Sequence, residues 1–155
     1  MSENKDHPDI KILPPVLMLI HLIIAFTLKW MIPLSIPAPQ AVKIAGWAVL
    51  AAGFLFALSA LRELNKAQTS PIPHEPTTAI VTSGAYRLSR NPIYVGFVCT
   101  VIGLPLALGN YWGLILSPAM IHYFNGLIIE HEEAYLEKKF GDVYTGYKSR
   151  VRRWL

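Results

Sequence analysis

Apolar residues along this chain gather into four long blocks, Pro15 to Leu34, Ala41 to Leu61, Pro92 to Leu108 and Tyr111 to Ile129, separated by polar segments. Crossing a bilayer core of about 30 Å takes roughly 20 helical residues, so the pattern predicts about four transmembrane helices. Only Gly109-Asn110, a turn dipeptide, separates the last two blocks, which predicts a tight helical hairpin. Beyond Ile129 the period changes. Leu136, Phe140, Tyr144, Tyr147, Val151 and Trp154 recur every three or four residues, as on one face of an amphipathic helix or of two helical pieces broken at Gly141. The expected fold is all-α: one domain over residues 1–155 with about four spans and a C-terminal amphipathic helix.

Composition agrees with the pattern. Of 155 residues 53% are hydrophobic and 15% charged, against roughly 25% charged in ordinary soluble domains. The first block has no small-residue cleavage site after its apolar core, so it reads as a retained span. Lysine and arginine concentrate before the first block, between the second and third, and after the fourth, leaving only Lys29 and Lys43 near the other ends. This asymmetry predicts a multi-pass protein of an inner or plasma membrane, with both termini and the 64–89 loop cytoplasmic. Topology and anionic lipid account for the net charge of +4 without nucleic acid. The lone Cys99 lies inside an apolar block and reads as a small core residue.

Chemistry is expected in the two polar blocks that flank the hairpin, because a hairpin returns its chain to the side it left. Pro71, Pro73 and Pro76 exclude a long helix after the second block. Ser83-Gly84 reads as a turn, Asn91 as a helix N-cap and Pro92 as a first-turn residue. A helix N-terminus beside Arg90 favours an anionic group such as a carboxylate, though the same residues also serve simply to position the hairpin. Tyr144 and Tyr147 fit either an interfacial aromatic belt or a pocket wall. Glu130, Glu132 and Glu133 lie where the fourth block leaves the membrane; Glu132 and Glu133 project about 100° apart on a helix, so one can face the loop while the other is solvated. The chain has no His-Glu-x-x-His, Cys-x-x-Cys, Gly-x-x-x-x-Gly-Lys or nucleophile-elbow motif. His122 and His131 are poorly spaced for a metal, and His21 is expected to bond a neighbouring helix.

The stretch Thr82-Ser83-Gly84-Ala85-Tyr86-Arg87-Leu88-Ser89-Arg90-Asn91-Pro92-Ile93-Tyr94-Val95-Gly96, followed by Glu132-Glu133-Ala134-Tyr135-Leu136 through Phe140-Gly141-Asp142-Val143-Tyr144 and Tyr147, resembles the isoprenylcysteine carboxyl methyltransferase family with its phospholipid methyltransferase relatives. The resemblance runs from about Thr77 to Trp154. It implies a membrane methyltransferase that uses S-adenosyl-L-methionine without a soluble Rossmann domain. It also implies that the cofactor is held by Thr78, Ala79, Ile80 and Val81, by Tyr86, by Arg90, Asn91, Pro92, Ile93 and Tyr94, and by Glu132. With the pocket drawn from segments 77–94 and 130–154, Tyr144 and Tyr147 join that set.

These residue types suit the cofactor, whose ribose diol, carboxylate, adenine and sulfonium call for acceptors such as Glu132, donors such as Arg90, and the aromatic surfaces of Tyr86 and Tyr94. The chain departs from the family at two places: Asn91 stands where many relatives have His, and Ile128 where the eukaryotic carboxyl methyltransferases place an Arg. The second departure points to an acceptor other than a prenylated cysteine, namely a lipophilic or small amphiphilic molecule or a membrane lipid carrying an amine, thiol or hydroxyl. Two rival readings remain at this stage, a sterol-reductase-like membrane reductase and a non-catalytic membrane or lipid-binding subunit.

Overall fold

A computed structural model describes residues 6–155, and within them the chain is helical, with no strand. Helix α1 spans Pro14–Met31, α2 Gln40–Lys66, α3 Pro92–Ala107 and α4 Trp112–Phe124; α5 (Glu130–Phe140) and α6 (Asp142–Lys148) follow. A 3₁₀ turn, Gly84–Arg87, lies between α2 and α3. Among the described residues, α1, α2 and the rod Trp112–Phe140 are long and apolar enough to cross a membrane, while α3 is apolar but shorter.

Local chemistry sets the boundaries. Helix α1 stops at Met31 because Ile32 precedes Pro33, which drives it out of the helical region to φ −133° and ψ 74°. Helix α2 runs past Leu61 to Lys66, since Arg62, Glu63, Leu64 and Lys66 are good helix formers once the chain leaves the apolar phase. The hairpin turn forms as expected: Gly109 takes φ 68°, and the buried Asn110 donates to the Ala25 carbonyl (3.0 Å) while accepting from the Trp112 N–H (3.0 Å). Lys29 donates to the Leu108 carbonyl at 2.8 Å and satisfies an end of α3.

The helix that carries the fourth apolar block runs on past Ile129: α4 continues through a π segment, Asn125–Ile129, directly into α5 as one 29-residue rod. Of this rod, 112–129 is the apolar part, and the charged remainder extends it as α5. One expectation needs correction: among the described residues His21 makes no hydrogen bond to a neighbouring helix; its Nδ1 donates to the Leu17 carbonyl in its own helix at 2.8 Å, and its ring lies 6.1 Å from that of Tyr123.

Helix α3 is the centre of the molecule. One face, with Tyr94, Val98 and Val101, packs with Leu17, Met120, Phe124, Ile128 and Ile129 in the main core. The opposite face meets α2 at almost backbone contact. A Cβ on Gly46 would sit 2.3 Å from the Ala107 nitrogen, one on Gly53 2.2 Å from the Cys99 Cβ, and one on Gly103 2.7 Å from both the Gly46 oxygen and the Leu50 nitrogen. Small residues let helices approach this closely where lipid supplies no hydrophobic drive to associate. The outward faces remain apolar, with Ile23 65%, Phe54 65% and Leu55 63% exposed, as suits surfaces that meet acyl chains.

Candidate functional site

The hairpin brings the two polar blocks together. At the end of the bundle where α3 begins, loop 70–81, the Gly84–Arg87 turn, the start of α3, α5 and α6 line an open cleft of about 890 Å³, the open solvent at its mouth included. Gly141, at φ 51°, breaks the helix between α5 and α6, and the reversed chain lays Tyr144 and Tyr147 against the cleft, 3% and 4% exposed. At these two positions the amphipathic stripe therefore faces protein.

Ala79, Ile80, Val81, Tyr86, Arg90, Asn91, Pro92, Ile93, Tyr94, Glu132, Tyr144 and Tyr147 all line this cleft. Thr78 does not: its N–H donates to Thr69 Oγ1 (3.0 Å) and its hydroxyl to the Gln68 carbonyl (3.0 Å), which turns it into the loop's own scaffold, and Thr77 lines the cleft instead. Asn91 occupies the N-cap position of α3 without capping it. Its Nδ2 donates to the Arg153 carbonyl at 3.0 Å, and Ser89 Oγ, which donates to the same carbonyl, accepts from the Asn91 N–H at 3.1 Å.

The acidic pair is shared differently from what 100° of helical separation implied. Tyr94 donates its hydroxyl to Glu132 Oε1 at 2.5 Å, which fixes the carboxylate in the cleft wall. Glu133 also lines the cleft and is 6% exposed, not solvated. Arg153 holds it in a fork, Nε to Oε1 at 2.9 Å and Nη2 to Oε2 at 2.8 Å. Lys148 approaches Oε2 at 3.5 Å but has Glu137 at 2.5 Å as its nearer partner. Arg90, its side chain 9% exposed, brings Nη1 within 3.1 Å of Glu133 Oε1 as an ion pair, yet its Nε and Nη1 make no hydrogen bond among the described residues. No local pattern announced this network, because two of its three cations, Lys148 and Arg153, come from the last residues of the chain.

Burial pushes the Tyr144 phenol up to about 12, with Glu133 raising it further and Arg90 opposing. Tyr86 and Tyr147 are raised by burial as well, so the aromatic wall stays neutral at physiological pH. Tyr147 donates to the Tyr86 carbonyl at 2.7 Å and ties α6 to the 3₁₀ turn. Ser83 donates to Glu63 of α2, which also carries the loop's Gly84 against it. The N-terminal segment closes the outer rim: Pro8 lines the cleft, and Asp6 accepts from Lys139 at 2.7 and 2.8 Å beside the Tyr135 hydroxyl.

A family model described as phospholipid methyltransferase matches residues 42–143. The chain belongs to the phospholipid methyltransferase family. Within reach of this family are a protein-S-isoprenylcysteine O-methyltransferase of Schizosaccharomyces pombe, 39% identical over 72 residues, which are 46% of this chain and 30% of that protein. An uncharacterized protein of Haemophilus influenzae is 41% identical over 66 residues, 41% of this chain and 100% of its own length. Protein-S-isoprenylcysteine O-methyltransferase B of Arabidopsis thaliana is 34% identical over 80 residues, 52% of this chain and 41% of that protein. The matches thus span less than half the length of these two named methyltransferases. No solved structure matches the chain significantly.

Proposed function

We propose that this protein is an integral membrane methyltransferase that uses S-adenosyl-L-methionine and acts on a lipophilic or amphiphilic acceptor. The observation that carries the reading is the cleft itself: in a member of a methyltransferase family, a buried arginine with unpartnered donors, an aromatic wall and an oriented carboxylate converge where a membrane-embedded helix begins. The residues fit the cofactor. Arg90 would take its carboxylate, Glu132 its ribose hydroxyls, and the faces of Tyr86, Tyr144 and Tyr147 its adenine and cationic sulfur. When bound, S-adenosyl-L-methionine supplies a methyl group already activated by its sulfonium. The protein's part is to bind, align and exclude water: Tyr94 orients Glu132, and the Tyr147–Tyr86 bond fixes the aromatic wall.

The acceptor's chemistry follows from the absence of a cation at position 128, a position that lies in the core and not in the cleft wall. Ile128, where a carboxylate-pairing Arg would stand, is fully buried in the core among Tyr94, Val98 and Phe124. An aliphatic side chain cannot form the charge-assisted pair that holds a carboxylate for attack. The acceptor is therefore a neutral or amine-bearing amphiphile or lipid, reaching the cleft from the bilayer. The test is a methyl-transfer assay with labelled S-adenosyl-L-methionine on the detergent-purified chain, offering a membrane lipid extract and a farnesyl-cysteine analogue in parallel. Label in the lipid fraction is the expected result. Saturable methylation of the farnesyl-cysteine carboxylate overturns the acceptor class, and binding of a reduced nicotinamide in place of S-adenosylhomocysteine overturns the whole reading.

A further inference from the structure

Three cations surround Glu133, and they are not equivalent. Lys148 has Glu137 as its nearer partner, and Arg153 engages Glu133 through both nitrogens of its fork, with Glu130 a further 3.7 Å away. Arg90 alone of the three has no carboxylate aligned with it. Its Nε and Nη1 are buried and lack any hydrogen-bond partner among the described residues, a costly state for a charged group unless a ligand completes it.

The reason Arg90 stays open lies in the fork. Glu133 Oε1 already accepts from Arg153 Nε at 2.9 Å, and Arg90 Nη1, 3.1 Å from the same oxygen, makes no hydrogen bond to it. Without the fork, the Glu133 carboxylate would be free to rotate toward Arg90 and consume its donors. We propose that Arg153 is a positioning residue for cofactor binding: by holding Glu133 in its fork, it keeps Arg90 available as the receptor for an anionic ligand group. The assignment rests on the proposed cofactor reading. The backbone of Arg153 serves the same end, since its carbonyl accepts from Ser89 and Asn91 on either side of Arg90 and fixes where that residue begins.

The experiment uses the full chain in detergent, with S-adenosylhomocysteine as the carboxylate-bearing probe and 5′-methylthioadenosine, which keeps the nucleoside and thioether but lacks the carboxylate, as its competitor. Arg153→Ala should weaken S-adenosylhomocysteine by roughly 10- to 100-fold, the scale of losing a hydrogen bond to a charged group, and leave 5′-methylthioadenosine nearly unchanged. Arg153→Lys, which keeps the charge but not the planar fork, should weaken it too. Adding Glu133→Gln to Arg153→Ala removes the competing charge and should restore most of the lost affinity. Equal weakening of both probes, no weakening at all, or failure of the double variant to recover while its melting temperature matches that of the parent would each overturn the assignment. Absence of S-adenosylhomocysteine binding to the unaltered chain would instead defeat the cofactor reading.

Discussion

Replacing Gly103 by alanine tests whether α2 and α3 are held by backbone-to-backbone contact. The new methyl would lie 2.7 Å from the Gly46 oxygen and the Leu50 nitrogen and 3.1 Å from the Leu50 Cα. All three are main-chain atoms in a helix and cannot swing aside, so relief of the clash takes a separation of roughly 1 Å, the gap between these distances and ordinary contact near 3.5–4 Å. Overpacking of this kind costs about 1–3 kcal/mol. The strain should also reach the cleft, because Glu63 near the end of α2 carries Ser83 and Gly84, beside the 3₁₀ turn whose Tyr86 lines the cleft. Gly126 is the internal control. A Cβ there meets nothing within 4 Å, so Gly126→Ala should be neutral or stabilise the helix by about 0.5–1 kcal/mol. Thermal unfolding in detergent can be followed by the reaction of Cys99 with a fluorogenic maleimide, since that lone thiol packs against Gly53 in the same seam. A lowered midpoint for Gly103→Ala beside an unchanged or raised one for Gly126→Ala is expected. If the two variants behave alike, the close-contact account of the α2–α3 pair is wrong.

Other expectations follow from the cleft. Glu132→Gln should weaken S-adenosylhomocysteine binding by roughly 1.5–3 kcal/mol with little loss of folded protein; unchanged affinity in a calorimetric titration removes Glu132 from the site. The Tyr144 phenol titrates at about 12 in the fold against 10.0 ordinarily. Its neutral form is thus favoured by folding, and the stability it contributes should be complete below pH 10 and decline as pH rises from 10 to 12, read by alkaline unfolding of the parent against Tyr144→Phe. Reporters fused after Leu155 and before Met1 should mark the same side of the membrane, the cytoplasmic one; opposite sides would refute the expected four crossings.

Much of the fold was legible because it depends on local signals. Hydropathy marks the blocks, and Gly109-Asn110, Asn91-Pro92 and Gly141 punctuate them where the turns and helix ends occur. The run from α4 into α5 was not legible as one rod, because hydropathy reports the surrounding phase whereas helical hydrogen bonding continues through Glu130 and its neighbours regardless. The α2–α3 seam did leave a trace, with Gly46 and Gly53 seven residues apart and Gly96 and Gly103 likewise, but the spacing acquires meaning only once the two helices are set side by side. Around the cleft, a resemblance assigns a residue type to a position and not a direction to a side chain. Thr78 consequently turned away while Thr77 lines the wall, and Glu133 became buried only because Arg153, twenty residues on, folds back to meet it.

The brevity of α3 makes bilayer thickness a variable for this protein. Its 16 residues extend about 24 Å, some 6 Å less than an average hydrocarbon core. On the proposed membrane reading, a bilayer around so short a helix would thin, or the polar ends of α3 would be drawn inward, at a cost of fractions of a kcal/mol per Å. Arg90 and Asn91 would then lie toward the acyl region, where a reactive group just beneath a lipid headgroup would meet the cleft without climbing out of its leaflet. Thin membranes accommodate this geometry with little deformation, whereas thick, sterol-rich ones oppose it, so the lipid that surrounds the chain also sets how readily the cleft and its acceptor come level.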